Sequence, residues 1–182
     1  EAASNPYIDP EKTVNFKYFF TRKLGFVKES HAFALFPGGF GTLDETFELV
    51  TLIQTGKSDM HPIVLVEHEG TGYWQPILDF ARDVLVAMGL ISIDDLALFT
   101  FTTDVTEAAD ELCRFYANFH SQRYVDGNLV LRVHYAPDDA MLAALTEEFS
   151  DLLVDGTITR SEPTSDEVRD QDALDCERVI LH

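Results

Sequence analysis

The stretch AFALFPGGFGTLDETFELVTLIQTG, residues 32–56, sets a proline and three glycines between a short apolar run and a helical apolar repeat. Ala32–Leu35 suits a short buried strand ending at Phe36 and Pro37. Leu43, Phe47, Val50 and Leu52 then recur at helical spacing until Gly56 stops the helix. A strand that passes through a glycine turn straight into a helix is the first step of a layered α/β sheet.

The alternation continues. Ile63–Val66 (IVLV) reads as a second buried strand, and apolar residues at 74, 77, 78, 81, 84, 85 and 88 predict a helix over Trp74–Met88, closed by Gly89. After a short helical turn at Ile93–Leu96, Leu98–Phe101 reads as a third strand. Asp104 or Thr103 then caps a helix through Phe119, with apolar positions 105, 108, 109, 112, 115 and 116. Strand and helix alternating three times call for a parallel sheet with helices on both faces. Upstream, Val14–Phe20 reads as extended and Thr21–Ser30 as a helix. Downstream, Leu129–His134 alternates as a strand, Asp138–Leu153 is helical, and Thr157–Ser161 and Arg178–His182 read as strands. Residues 162–176, with four Asp and two Glu, read as a mobile loop. The expected architecture is therefore α/β: residues 1–120 form the parallel layered domain and residues 121–182 a small α+β appendage. Three parallel strands are half of an ordinary doubly wound sheet, so the expectation is that its N-terminal half lies outside these 182 residues.

The formal charge of -19 narrows the partners. Residues 1–57 hold 7 acids and 6 bases, whereas residues 58–182 hold 25 acids and 7 bases. A nucleic-acid groove is excluded on this balance, and the only part that does not repel an anion is the part containing PGGFGT. The acidic remainder reads as solvated surface. No apolar run approaches the roughly 20 residues needed to span a bilayer, and no leader pattern opens the chain, so a cytoplasmic protein without a membrane partner is expected.

Glycines between the carboxyl end of a strand and the amino end of a helix let backbone N–H groups converge without Cβ obstruction, where the helix dipole adds positive potential. Gly38, Gly39 and Gly41 supply such a cradle for a phosphate, and Thr42 adds a hydroxyl at the helix start. The alternative is that a tight turn simply needs glycine. The pattern is neither GxxxxGK[ST] nor GxGxxG, so it lacks the marks of ATP hydrolysis or dinucleotide binding. Asp44 and Glu45 are expected in the first helical turn. Acids there can merely complement the dipole. A carboxylate one turn from a phosphate can instead meet a ribose hydroxyl, or a water attacking the anomeric carbon, and stabilise an oxocarbenium-like transition state.

Residues 21–57, TRKLGFVKESHAFALFPGGFGTLDETFELVTLIQTGK, resemble the signature of the "lonely guy" (LOG) family: an Arg-Lys pair, a helix, a strand and then PGGxGTxxE. NPYI at 5–8 and FKYFFTRK at 16–23 are similar to its longer bacterial branch. The resemblance covers roughly residues 5–119. It implies a Rossmann-like fold, a homodimer with the site near the interface, and hydrolysis of the N-glycosidic bond of nucleoside 5'-monophosphates to a free base and ribose 5-phosphate. It places the catalytic pair on Arg22 and Glu45, with Lys23 and Asp44 as supporting groups, and the phosphate loop on Gly38, Gly39, Gly41 and Thr42. Gln54 and Thr55 match the family's interface segment. The family's first glycine-rich loop has no counterpart here, and residues 120–182 lie outside its short members.

Other chemistry finds little support. A nucleotide carrier of the same fold, without turnover, is the competing reading, which retention of both Arg22 and Glu45 opposes. Lysine decarboxylation would require a Schiff-base lysine, and Lys12, Lys17, Lys23, Lys28 and Lys57 offer no recognisable cofactor context. The six histidines show no metal-ligand spacing, Cys113 and Cys176 read as ordinary thiols, and no GxSxG elbow occurs. No metal and no cofactor are expected.

Overall fold

The computed structural model describes residues 7, 9–154 and 156–182; Asn5, Pro6 and Ile8 of the NPYI segment lie outside the described residues. The chain divides into two compact units, Glu1–His31 and Ala32–His182. The first contains a short 3-10 turn, Pro10–Lys12, and helix α1, Phe19–Lys28. That helix starts two residues before the expected Thr21, and residues 13–18 carry no strand. Within α1, Gly25 lets the Phe16 ring approach to 3.5 Å of where a Cβ would stand.

The second unit opens with a parallel sheet in the order β1-β2-β3, formed by Phe33–Leu35, Ile63–Val66 and Thr100–Thr102. Ala34 pairs with Val64, and Val64 in turn with Thr100. Helix α2 (Phe40–Gln54) connects β1 to β2. Helix α3 (Trp74–Phe80), running on as a π-helical Ala81–Val86, then a 3-10 turn at Asp94–Leu98, lead to β3. Helix α4 (Val105–Phe115) follows. All four residues of β2 are buried, as a central parallel strand covered on both faces must be. Val64 and Val66 face Ala108 and Leu112 of α4, while Leu65, on the opposite face, meets residues of α2 and α3. The expected α/β class with helices on both faces of a parallel sheet is what forms.

Helix α4 is shorter than its sequence suggests. Asp104 caps it, accepting from the amides of Thr106 (2.7 Å) and Glu107 (3.2 Å), which holds the Asp104 carboxyl below its ordinary pKa. At the other end it stops at Phe115 rather than Phe119. Asn118 is locked to the end of β5 (Asn128–Val133), with its side chain bonding both N–H and C=O of Tyr135, so Phe119 already begins β4 (Phe119–Val125). Strand β4 was not foreseen. Its signal was the Asp126–Gly127 turn, whose φ of 50° and 87° makes the tight hairpin that Asp-Gly favours.

The second sheet is antiparallel, ordered β4-β5-β7-β6, with β6 at Ile158–Ser161 and β7 at Glu177–Leu181. Helix α5 (Asp139–Glu148) covers one face, where Val133, Leu142, Ile158 and Val179 form the core. Residues 162–176 are not the loop expected from their charge: they contain helix α6, Ser165–Asp170, closed by a Thr164/Glu167 capping box. Glu167 is only 1% exposed. On the face away from Val179, Arg132 and Arg178 stand directly opposite each other across β5 and β7. Like charges so placed repel. Glu167 lies between them, accepting from Arg132 at 2.6 and 2.8 Å and facing Arg178 at 3.5 Å.

Candidate active site at the start of helix α2

The β1-to-α2 turn places its three glycines for different reasons. Gly38 is required by packing: a Cβ there would stand 2.2 Å from the Thr42 hydroxyl oxygen. Gly39 is the helix N-cap in an extended conformation, and its carbonyl accepts from the amides of Thr42 (3.0 Å) and Leu43 (3.3 Å). Cβ atoms at Gly39 and Gly41 would meet nothing within 4 Å. None of the three has a positive φ. Neither backbone strain nor contact within the described residues explains glycine at 39 and 41, so the need for a tight turn does not account for them.

The amides of Phe40 and Gly41 precede the first intrahelical donors, and the positive end of the α2 dipole opens over them. Thr42 is the third residue of the helix, not its cap; its side chain lies against Gly38, and its carbonyl accepts from Thr46 Oγ1 at 2.7 Å. The acids are also displaced from their expected place. Because α2 starts at Phe40, its first turn contains no acid, and Asp44 and Glu45 fall in the second. Asp44 is exposed and Glu45 half-buried. Glu45 follows Gly41 by four residues, so the two share a face, and helical side chains lean toward the N-terminus. The Glu45 Oε2 is shielded from solvent with no hydrogen-bond partner among the described residues. Buried polar atoms are nearly always paired, and an exception calls for a chemical reason.

Two residues that the sequence reading passed over shape the same turn. Glu67, buried just beyond β2, accepts the amides of Tyr73 (2.7 Å) and Trp74 (2.9 Å), and the Tyr73 hydroxyl donates to the Gly38 carbonyl at 2.9 Å. An acid directly after a fully buried strand, followed by glycines and an aromatic pair, was the available signal. On the far side of α2, about half a rotation from Glu45 at 100° per residue, a cavity of about 210 Å³ is lined by Thr46, Phe47, Val50, Trp74, Ile77 and Phe99. It is apolar and separate from the glycine turn.

Arg22 and Lys23 lie on α1, in the other compact unit. Arg22 is exposed, its guanidinium 4.9 Å from the centre of the Phe19 ring, and the Lys23 ammonium lies 5.9 Å from the same ring. At the end of α2, Gln54 donates to Asp95 at 2.7 Å and Thr55 to the Thr51 carbonyl at 2.7 Å. Among the described residues, no group of three or more His, Cys, Asp or Glu is placed to hold a metal, and no helix is long and apolar enough to cross a membrane.

The family profile described as "Possible lysine decarboxylase" matches residues 2–112. Among relatives, the Arabidopsis thaliana cytokinin riboside 5'-monophosphate phosphoribohydrolase LOG1 is 42% identical over 71 residues, 39% of this chain and 32% of that protein. LOG3 of the same plant is 41% identical over 71 residues, 39% of this chain and 31% of that protein. The probable cytokinin riboside 5'-monophosphate phosphoribohydrolase LOGL3 of Oryza sativa subsp. japonica is 32% identical over 101 residues, 56% of this chain and 46% of that protein. The chain thus spans from about a third to under half the length of these curated relatives. With a profile match over more than half its residues and the PGGFGT turn set at the start of α2, the chain belongs to the LOG family.

Proposed function

We propose that this chain carries the phosphate-binding and catalytic residues of a nucleoside 5'-monophosphate phosphoribohydrolase, acting on AMP-like or cytokinin riboside monophosphate substrates. The observation that carries the reading is the pairing, on one face of α2, of a glycine whose Cβ would meet nothing with a buried carboxylate oxygen that has no hydrogen-bond partner, both among the described residues. The 5'-phosphate binds the amides of Gly39, Phe40 and Gly41 at the positive end of the helix, with the Thr42 hydroxyl as a further donor. Glu45 then stands near the ribose. Water attacks C1' as the C1'–N bond breaks; Glu45 takes the proton of the water, and its negative charge stabilises the oxocarbenium character of the transition state. The base leaves with its bonding pair and takes a proton from solvent, to which Glu45 returns the proton it accepted, so one water is consumed in all. The family resemblance assigns Arg22 as the second catalytic residue, a permanently charged guanidinium for the leaving base or the phosphate, with Lys23 and Asp44 as supporting groups. The relatives' names support this reading.

We further take the assembly to be a cytoplasmic homodimer in which the end of α2, at Gln54 and Thr55, faces the second subunit, as the resemblance to the family's interface segment suggests. Decarboxylase chemistry does not fit the residues present. A lysine that forms a Schiff base is desolvated to bring its pKa down, yet Lys12, Lys17, Lys28 and Lys57 are exposed and Lys23 is only half-buried on α1.

Incubation of the full protein with a panel of nucleoside monophosphates, followed by chromatography for free base and ribose 5-phosphate, tests the proposal. Release of base from at least one monophosphate, and none from the nucleoside without phosphate, supports it. Nucleotide binding with no base released from any member of the panel overturns it in favour of the carrier reading.

A further inference from the structure

We propose that Tyr73 is a positioning residue for the phosphate loop, aiming the Gly39 amide by holding the carbonyl on the other side of the same peptide; this rests on the reading of the loop as a phosphate site. A trans peptide is planar, with its C=O and N–H pointing in opposite directions. The Gly38 carbonyl and the Gly39 N–H belong to one such plane. A hydroxyl that captures the Gly38 oxygen at 2.9 Å therefore sets the direction of the Gly39 N–H, away from Tyr73. Glycines have the widest backbone freedom, and a Gly-Gly pair without such a hold would sample several orientations of this peptide.

The tyrosine is itself well anchored. Its backbone N–H and that of Trp74 are both held by Glu67 Oε2, and the Glu67 amide donates to the Thr102 carbonyl at 3.3 Å, tying the acid to the neighbouring strand β3. The turn from Glu67 back to Tyr73 depends on Gly70 and Gly72, with φ of 80° and 64°, which other residues rarely adopt. Trp74 is fully buried, donates from Nε1 to the Val66 carbonyl at 3.2 Å, and meets the Tyr73 ring edge-on at 4.8 Å. The Tyr73 ring thus has little freedom, and its hydroxyl reaches Gly38 as a fixed extension of the β2 end. On the other side of the loop, the Thr42 side chain lies close against Gly38. The residue is gripped from both sides while Gly39 and Gly41 stay bare.

The test uses Tyr73→Phe, which removes only the hydroxyl, and Tyr73→Leu, which also removes the ring, in the full protein. Ribose 5-phosphate is titrated calorimetrically, and amide exchange is followed in the peptide covering residues 36–43. Loss of one net hydrogen bond predicts about a fivefold weaker Kd for ribose 5-phosphate in both variants. Amide exchange in the loop rises by a similar factor, and the kinetic loss is confined to KM. Wild-type affinity and exchange in Tyr73→Phe overturn the proposal, as does an effect seen only in Tyr73→Leu, which would assign the role to ring packing. A wild-type protein that binds ribose 5-phosphate but releases no base overturns the hydrolase reading alone, since the Tyr73→Phe shift in Kd still reports on the loop. Failure of the wild-type protein to bind ribose 5-phosphate overturns both.

Discussion

Gly41 and Glu45 stand one turn apart on the same face of α2, the first without a side chain and the second with a buried carboxylate oxygen that has no hydrogen-bond partner among the described residues. Residues four apart on a helix share a face, and Gly41 presents no Cβ on that face. On the proposed function, this spacing would serve both an anion at the helix terminus and a sugar beside the carboxylate.

Glu45→Gln tests the carboxylate. The amide is nearly isosteric and retains an acceptor, but it can neither take a proton from water nor balance a positive sugar. The expected outcome is a kcat lower by about 10²–10⁴-fold, with the Kd for ribose 5-phosphate within a factor of about three of wild type. Steady-state kinetics and calorimetry on the same preparation separate the two.

Gly41→Ala separates the needs of the fold from those of the ligand. The added Cβ meets nothing within 4 Å, and alanine is the better helix former, so thermal stability should hold or rise by up to about 1 kcal/mol. Phosphate affinity should nevertheless fall at least about tenfold, because a methyl group then stands where the ligand approaches the amides. Gly38→Ala should behave in the opposite sense: its Cβ would collide with Thr42, so stability falls by about 1–3 kcal/mol in chemical denaturation.

Arg22→Lys keeps the charge and loses the planar fork of donors. If the guanidinium holds the leaving base or the phosphate bidentately, turnover drops by about tenfold or more, while the melting temperature is unchanged, since Arg22 is exposed and its ring contact is local to α1. Kinetics with differential scanning fluorimetry as the control distinguish loss of chemistry from loss of fold.

Glu167 predicts the acid limb of the stability profile. Burial raises its pKa, but hydrogen bonds from the Thr164 amide and Arg132, with the charge of Arg178, outweigh burial and hold it down at about 2. A carboxyl depressed from the ordinary value of 4.5 contributes stability that is fully present above about pH 5 and lost as pH falls toward 2. Glu167→Gln should remove that limb and destabilise the protein at pH 7 by about 3 kcal/mol, because Arg178 is left buried without a counter-charge while Arg132 keeps its pair with Asp172 at 2.6 Å. Urea unfolding at pH 7 and pH 3 measures both effects.

Much of the parallel sheet was legible because its elements are locally consistent. IVLV at 63–66 is short, uniformly apolar and rich in β-branched residues, which favours a buried strand, and the Asp104 cap announces α4 one residue ahead. The errors arose where distant contacts overrode local pattern. Residues 162–176 read as a loop because six acids repel; Arg132 and Arg178, from strands on either side of a sequence gap of 46 residues, turn one of those acids into the centre of a buried network. The end of α4 was overrun because aromatic periodicity persists to Phe119, whereas the hydrogen bonds of Asn118 to Tyr135 decide where the chain turns.

The candidate phosphate loop shows the same division. By itself the sequence determined that a strand enters a helix through PGGFGT, and hence that bare amides meet a positive helix end, since this follows from glycine and helix chemistry within a few residues. Only the tertiary structure decided that the Glu45 Oε2 is shielded from solvent and that Tyr73 holds the Gly38 carbonyl. The second relation depends on a side chain reaching across 35 residues of chain, which no local pattern encodes.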